Sequence, residues 1–259
     1  AVGRIPTLQP VTWVDGWPML GDNGVPVKEF EVNLPPYGEN RVWASDEFDS
    51  SELDLVWQWN HKPDNSAWSV TERKGWLRLK TGQIATGLAD ARNTLTQRTV
   101  GPRCWSEVLM DASGMKPGDH AGICAFQSNW CQIGVEVNAD GQKELVALTH
   151  RPARRGRPGQ GAQQPQNNDT EALRIPLNQD KVWLKIRYVF TPQADDTARA
   201  DQAFMSYSLD GKNWTEVDAT LQMSFSLDYF TGYRTGLYSF ATDKAGGWAD
   251  FDYFHQQQY

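Results

Sequence analysis

The chain is 259 residues long, enough for one large all-β domain or two modest ones. Its 25 basic and 32 acidic residues give a formal net charge of −7, which argues against nucleic acid or an anionic membrane surface as partner. Hydrophobic content of 39% supports a real core, and no apolar run approaches the ~20 residues that span a bilayer.

Ala1-Val-Gly-Arg-Ile-Pro6 has neither Met nor a charged-then-apolar leader, so the chain is read as a processed product or as a piece of something longer. Residues 1–42 are rich in Pro, Gly and isolated aromatics with little alternation, and are expected to form a separate, incomplete piece. From residue 43 onward the punctuation is that of a β protein. Trp57, Trp59 and His61 stand at i, i+2 and i+4, so an extended chain puts all three on one face. Trp76–Lys80 and Ala121–Gln127 read as short strands. Asp140-Gly141, between Ile133–Val137 and Glu144–Leu148, closes a hairpin whose turn needs positive φ. Residues 150–170 carry four arginines among Gly, Pro and Gln and are expected as a flexible insertion, either a solvated loop or a basic patch for an acidic partner.

Further on, Lys181–Phe190 sets Val182, Leu184, Ile186, Tyr188 and Phe190 on one face and Trp183, Lys185 and Arg187 on the other. That is the pattern of a half-buried strand. Asp210-Gly211 predicts a second hairpin, between Ala203–Leu209 and Trp214–Val217, and Arg234–Ala241 is a further strand. No window of a dozen residues has helical periodicity. Many short strands with regular turns predict an all-β, two-sheet sandwich. Cys104, Cys124 and Cys131 have no metal-binding spacing and read as small buried hydrophobes, with a Cys124–Cys131 bridge left open.

Five collinear motifs carry a resemblance. They are Ser45-Asp-Glu-Phe-Asp-Ser-Ser-Glu-Leu53, Trp57-Gln-Trp-Asn-His-Lys-Pro-Asp-Asn65, Trp68-Ser-Val-Thr-Glu-Arg-Lys-Gly-Trp-Leu-Arg-Leu79, Asn93-Thr-Leu-Thr-Gln-Arg-Thr99 and Gly247-Trp-Ala-Asp-Phe-Asp-Tyr-Phe254. They resemble the C-terminal β-sandwich of the β-xylosidases and α-L-arabinofuranosidases of glycoside hydrolase family 43. Thr12-Trp-Val-Asp-Gly-Trp-Pro-Met-Leu-Gly21 resembles the closing stretch of that family's five-bladed β-propeller. The resemblance implies a concanavalin-A-like sandwich (jelly roll) over 43–259 with a propeller remnant and linker over 1–42. It also implies a bacterial source and a secreted or periplasmic location. In the family an Asp base, an Asp modulator and a Glu acid lie in the propeller. Asp15, Asp22, Glu29, Glu31 and Glu39 match none of these motifs, so this chain alone is expected not to hydrolyse glycans.

Flat aromatic rings pack against the C–H faces of sugars while polar edges meet the hydroxyls. Trp57, Trp59, Phe126 and Trp130 are candidate platforms, and His61, Gln97, Arg98 and Gln127 candidate hydroxyl partners. Tyr238 shares a strand face with Phe240 that serves as cleft or as core. The same aromatics would also fill a sandwich interior. Phe126, Gln127 and Trp130 fall where the resemblance places a loop that reaches the propeller's sugar pocket. A second cluster, Asp46 and Glu47 near the start with Asp250 and Asp252 near the end, comes together if the first and last strands pair. Close carboxylates repel unless protonated or bound to a cation, and Ca²⁺ suits them. The family resemblance likewise implies structural calcium. Three functions follow as expectations: a module binding β-1,4-xylan or arabinoxylan, an enzyme fragment that completes a missing catalytic propeller's pocket, or a protein-interaction sandwich.

Overall fold

The computed structural model describes residues 1–3, 6–35, 38, 41–152, 168–194, 196–226, 229 and 231–259. Most of the expected insertion, 153–167, therefore lies outside the described residues. The backbone falls into two units, Arg4–Arg41 and a larger one of Ala1–Gly3 with Val42–Tyr259. The smaller holds a hairpin that the sequence pattern did not announce, β1 (Val11–Val14) against β2 (Trp17–Leu20). Asp15 and Gly16 join them at φ 50 and 81, the left-handed backbone that a two-residue hairpin loop requires. The Gln9 side-chain amide clamps Val27 on both its N–H and its C=O, at 2.8 and 3.1 Å.

The larger unit is built of β3 (Gln58–Trp59), β4 (Trp68–Ser69), β5 (Leu77–Lys80), β6 (Leu95–Arg98), β7 (Arg103–Asp111), β8 (Asp119–Phe126), β9 (Trp130–Val137), β10 (Lys143–His150), β11 (Asp169–Pro176), β12 (Lys181–Val189), β13 (Gln202–Ser208), β14 (Trp214–Gln222), β15 (Arg234–Ala241) and β16 (Trp248–Gln258). They form two seven-stranded antiparallel sheets, a front sheet ordered β11-β10-β9-β8-β15-β6-β3 and a back sheet ordered β14-β13-β12-β7-β16-β5-β4. The expected all-β sandwich is what the chain forms. The anticipated strands appear within a few residues of their expected bounds, and both Asp-Gly turns have their Gly at positive φ. The start and end of the sandwich do meet, at an isolated bridge: Asp46 and Phe254 exchange backbone hydrogen bonds at 2.8 Å each.

The two sheets bury their facing sides in one core. On β12, Val182, Leu184 and Ile186 are fully buried there, while Lys185 and Arg187 point outward to Glu107 and Glu216. Buried hydroxyls tie the sheets across this core and fix their register. Thr235 Oγ1 of β15 lies 2.9 Å from Ser106 Oγ of β7 and 2.8 Å from Tyr188 Oη of β12.

The front sheet is apolar on its outer side as well. Ile123, Ala125, Ile133 and Val135 face the main core, whereas Cys124, Phe126, Trp130, Tyr238 and Phe240 form a second cluster beneath Ala85, Leu88 and Ala91. This corrects the open reading of the cysteines. Cys131 pairs with Ala125 and Cys124 with Gln132 in the β8–β9 register, so the two thiols project from opposite faces and cannot form a bridge. Tyr238 belongs to this outer layer, at 2% exposure, so it is core and not cleft.

At the far end of the same outer face, His120 stacks on Phe240 and meets Glu136 at 3.1 Å. Arg174 joins Glu136, Glu144 and Glu171 at 2.6–2.9 Å. Burial pushes the Glu136 carboxyl up, but His120 and Arg174 outweigh it and hold it below its ordinary value.

Two expectations follow. A methyl on Gly134 would lie 2.0 Å from Ala121 O and 2.6 Å from Tyr238 Oη, so Gly134→Ala should cost about 2 kcal/mol or more, read as a Tm loss of several degrees. Because the folded pKa of Glu136 is depressed, its contribution is present above the ordinary glutamate range and is lost as pH falls. Glu136→Gln should cost about 1–3 kcal/mol at pH 7, a gap that narrows as pH falls below the ordinary glutamate range when both proteins are melted across a pH series.

Candidate functional site

Strand register lays a row of side chains across the outer front sheet. Asp169 of β11 stands opposite His150 of β10, and His150 opposite Trp130 of β9. The turn 127–129 leads back to Phe126 of β8. Directly opposed residues in antiparallel strands share a face, so these groups form one strip. The His150 ring stacks on the Trp130 indole at 4.9 Å and 7°, and its Nδ1 lies 2.6 Å from Asp169 Oδ1. Phe126 meets the Tyr229 ring edge-on at 5.6 Å.

A wall rises beside this strip from Thr86 to Asp90, whose last residues form a 3₁₀ turn (Leu88–Asp90). Its Leu88 is driven into the outer apolar cluster, while Asp90 stays exposed and accepts a hydrogen bond from Thr86. Between wall and strip lies a groove of about 530 Å³. Phe126 and Trp130 form its floor; Asp90, Ser128, His150, Asp169 and Tyr229 are among its rim. An apolar aromatic floor with a few convergent polar groups is the usual make-up of a small-ligand site.

Of the residues expected to bind, Phe126, Gln127 and Trp130 line this groove. Gln127 does so as a brace: its Nε2 donates to the carbonyls of Tyr229 and Thr231 at 3.1 and 3.3 Å, and its Oε1 accepts from Ser128. It holds the groove's edge, and its amide is already committed. Trp57 corrects the expectation of an open platform. It is core, between Phe48 and Phe254, with Nε1 donating to Asp46 Oδ2 at 2.7 Å. Trp59 also packs inward, its ring 5.2 Å from that of Trp68. The strand there is only two residues long, and His61 leaves the shared face to meet Ala89 O at 2.8 Å. Gln97 is fully buried, accepting from Ala44 N at 2.9 Å, while its neighbour Arg98 points outward and is exposed. Sequence reasoning missed the wall at 86–90, His150, Asp169 and Tyr229. The wall has no periodicity, and His150 and Asp169 sat at the ends of a stretch read as insertion.

The family model of the β-xylosidase C-terminal concanavalin A-like domain, GH43_C2, matches residues 45–257. The chain belongs to this family. A β-xylosidase of Formosa agariphila is 33% identical over 97% of the chain and 42% of its own length. A putative β-xylosidase of Escherichia coli is 29% identical over 98% of the chain and 46% of its own length. Among solved structures, one described as a bifunctional GH43-CE of Bacteroides eggerthii is 41% identical with a TM-score of 0.77, covering 99% of this chain and 31% of that one. A GH43 glycoside hydrolase engineered for both endo-xylanase and exo-arabinofuranosidase activity gives 28% identity and a TM-score of 0.78, over 100% of this chain and 50% of that one. The chain thus spans less than half the length of these two curated relatives.

In this family 43 sandwich the four carboxylates of the expected calcium cluster have other partners or stand apart. Asp46 is spent on the Phe48 N–H and the Trp57 indole, at 2.8 and 2.7 Å. Glu47 pairs with His255 at 2.6 Å. Asp250 is held by Arg78 at 2.7 and 2.8 Å and by Arg73 at 2.9 Å. Asp252 stands apart, its carboxyl pushed up by burial. Among the described residues no group of three or more His, Cys, Asp or Glu is placed to hold a metal ion. The repulsion that calcium was invoked to relieve is met at Asp250 by two arginines. Melting curves in chelator and in millimolar calcium should therefore coincide. Asp250→Ala, which leaves Arg73 with Asp111 alone and Arg78 with Glu72 alone, should cost about 1–3 kcal/mol in either medium. A calcium-dependent rise in Tm would restore the ion.

Proposed function

We propose that this chain is the accessory sandwich of a family 43 enzyme of bacterial, exported origin, and that its outer groove holds a stretch of β-1,4-xylan or arabinoxylan. The observation that carries the reading is the Phe126–Trp130 floor under a rim of carboxylate, imidazole, hydroxyl and phenol groups. Relatives named β-xylosidase, and one named α-L-arabinofuranosidase, support pentose glycans as the class. Among the described residues no helix is long and apolar enough to cross a membrane.

A second reading, that the sandwich completes the pocket of a catalytic propeller without useful affinity of its own, is favoured by one feature. Phe126 and Trp130 are only 1% and 6% exposed, so the floor offers ring edges more than open platforms. Titration with xylohexaose separates the two. The first reading expects a Kd of about 10 µM to 1 mM, since sugars exchange water hydrogen bonds for protein ones at little net gain. His150→Ala, which removes the half-buried ring stacked on Trp130, should weaken binding about 5- to 30-fold with little change in Tm. No binding by the folded chain, with activity recovered when a separate propeller is added, would favour the second. Under both readings the purified chain releases no reducing sugar from xylan, because the family's acid and base are expected in the propeller. Turnover that survives repurification would refute this.

A further inference from the structure

The outer row continues past Phe126. Arg234 of β15 stands directly opposite Phe126, and Arg98 of β6 directly opposite Arg234. Opposed residues of antiparallel strands project from one face with Cβ atoms about 4.5–5.5 Å apart, and like charges so placed destabilise the sheet. Arg73, Arg78, Arg103, Arg174 and Arg187 each hold a carboxylate. Arg98 and Arg234 hold none among the described residues. Arg234 is half-buried and donates only to the Asn60 side-chain oxygen, a neutral acceptor, at 3.2 Å. Burial first, and Arg98 beside it, work against the charge on Arg234. The sheet therefore keeps two adjacent cations, one of them partly desolvated, with no counter-ion among the described residues, at the end of the aromatic floor.

Resting on the groove as a glycan site, we propose that Arg98 and Arg234 form a carboxylate subsite and that the glycan held there is acidic, a xylan chain bearing a uronic acid branch. Two planar guanidinium forks match the geometry of a carboxylate. Neighbouring strands lie about 4.7–4.9 Å apart, so a sugar lying in the groove at the level of β8 sets a substituent within reach of Arg234 and then Arg98. The row is also polar. It ends at His150 and Asp169 on the opposite side, so an anionic branch has one favourable end and the chain one direction to lie in.

The test compares a xylo-oligosaccharide carrying one glucuronic acid with the same compound after reduction of its carboxyl to the alcohol, titrated into the full chain. At low salt the acidic compound should bind about tenfold more tightly, and the advantage should shrink as salt rises. In Arg98→Gln, and separately in Arg234→Gln, the ratio of the two affinities should fall to near one. Arg98→Gln should leave Tm unchanged or raise it, since it removes half of a like-charged pair. Equal affinities in the parent chain would overturn the proposal while leaving the groove in place. An advantage that survives both substitutions would overturn it too, and failure of both compounds to bind would remove groove and subsite together.

Discussion

A β-sheet with one wet face needs a single cover, and most antiparallel sheets in sandwiches are of that kind. The front sheet here is apolar on both faces along β8, β9 and β15, so it has to be covered twice. The back sheet supplies the first cover. The second is the stretch around 83–91, tied down by the Ala85 N–H to Ala241 O and by Leu88 in the outer cluster. That segment is short and ends before β10. Where it stops, Phe126 and Trp130 lie at the bottom of a trough, and the groove is the part of that apolar face that this segment leaves uncovered.

The same double burial decides what could be read from sequence. Lys181–Val189 alternates cleanly because one side is core and the other wet, and its strand is legible residue by residue. β8 and β9 are buried on both sides, so apolarity loses its two-residue period, and Trp130 reads as a loop tryptophan when it begins a strand. Parity is equally unforgiving for polar groups. Gln97 and Arg98 look alike as planar donors, yet one step along β6 separates the interior from solvent. The meeting of the sandwich's start and end was legible, but which carboxylates it would unite was not. Asp250 lies on the back sheet's outer side beside Arg78, a partner 172 residues away that no local pattern announces.

The twelve tryptophans also find a physical explanation that divides their roles. On the outer back sheet Lys185 sits 5.0 Å from the Trp105 ring and 4.0 Å from that of Trp214, and Arg73 lies 3.5 Å over Trp76. Cations placed on aromatic faces stabilise an exposed sheet and leave those rings little free area for a sugar. An excess of tryptophan is thus a poor guide to a binding face here. What distinguishes the groove is an imidazole, and not an alkylammonium or guanidinium, resting on its indole.

The opposed placement of Cys124 and Cys131 has a use of its own. One thiol lies in the outer apolar layer and the other in the main core, a single register step apart on the same hairpin. Burial pushes Cys131 up to about 12 and Cys124 upward as well, so neither forms a reactive thiolate while its layer is closed. Alkylation at one sulfur therefore clocks the lifting of the 83–91 cover, and alkylation at the other clocks separation of the two sheets. The protein carries, unmodified, a pair of chemical stopwatches for its two layers of packing.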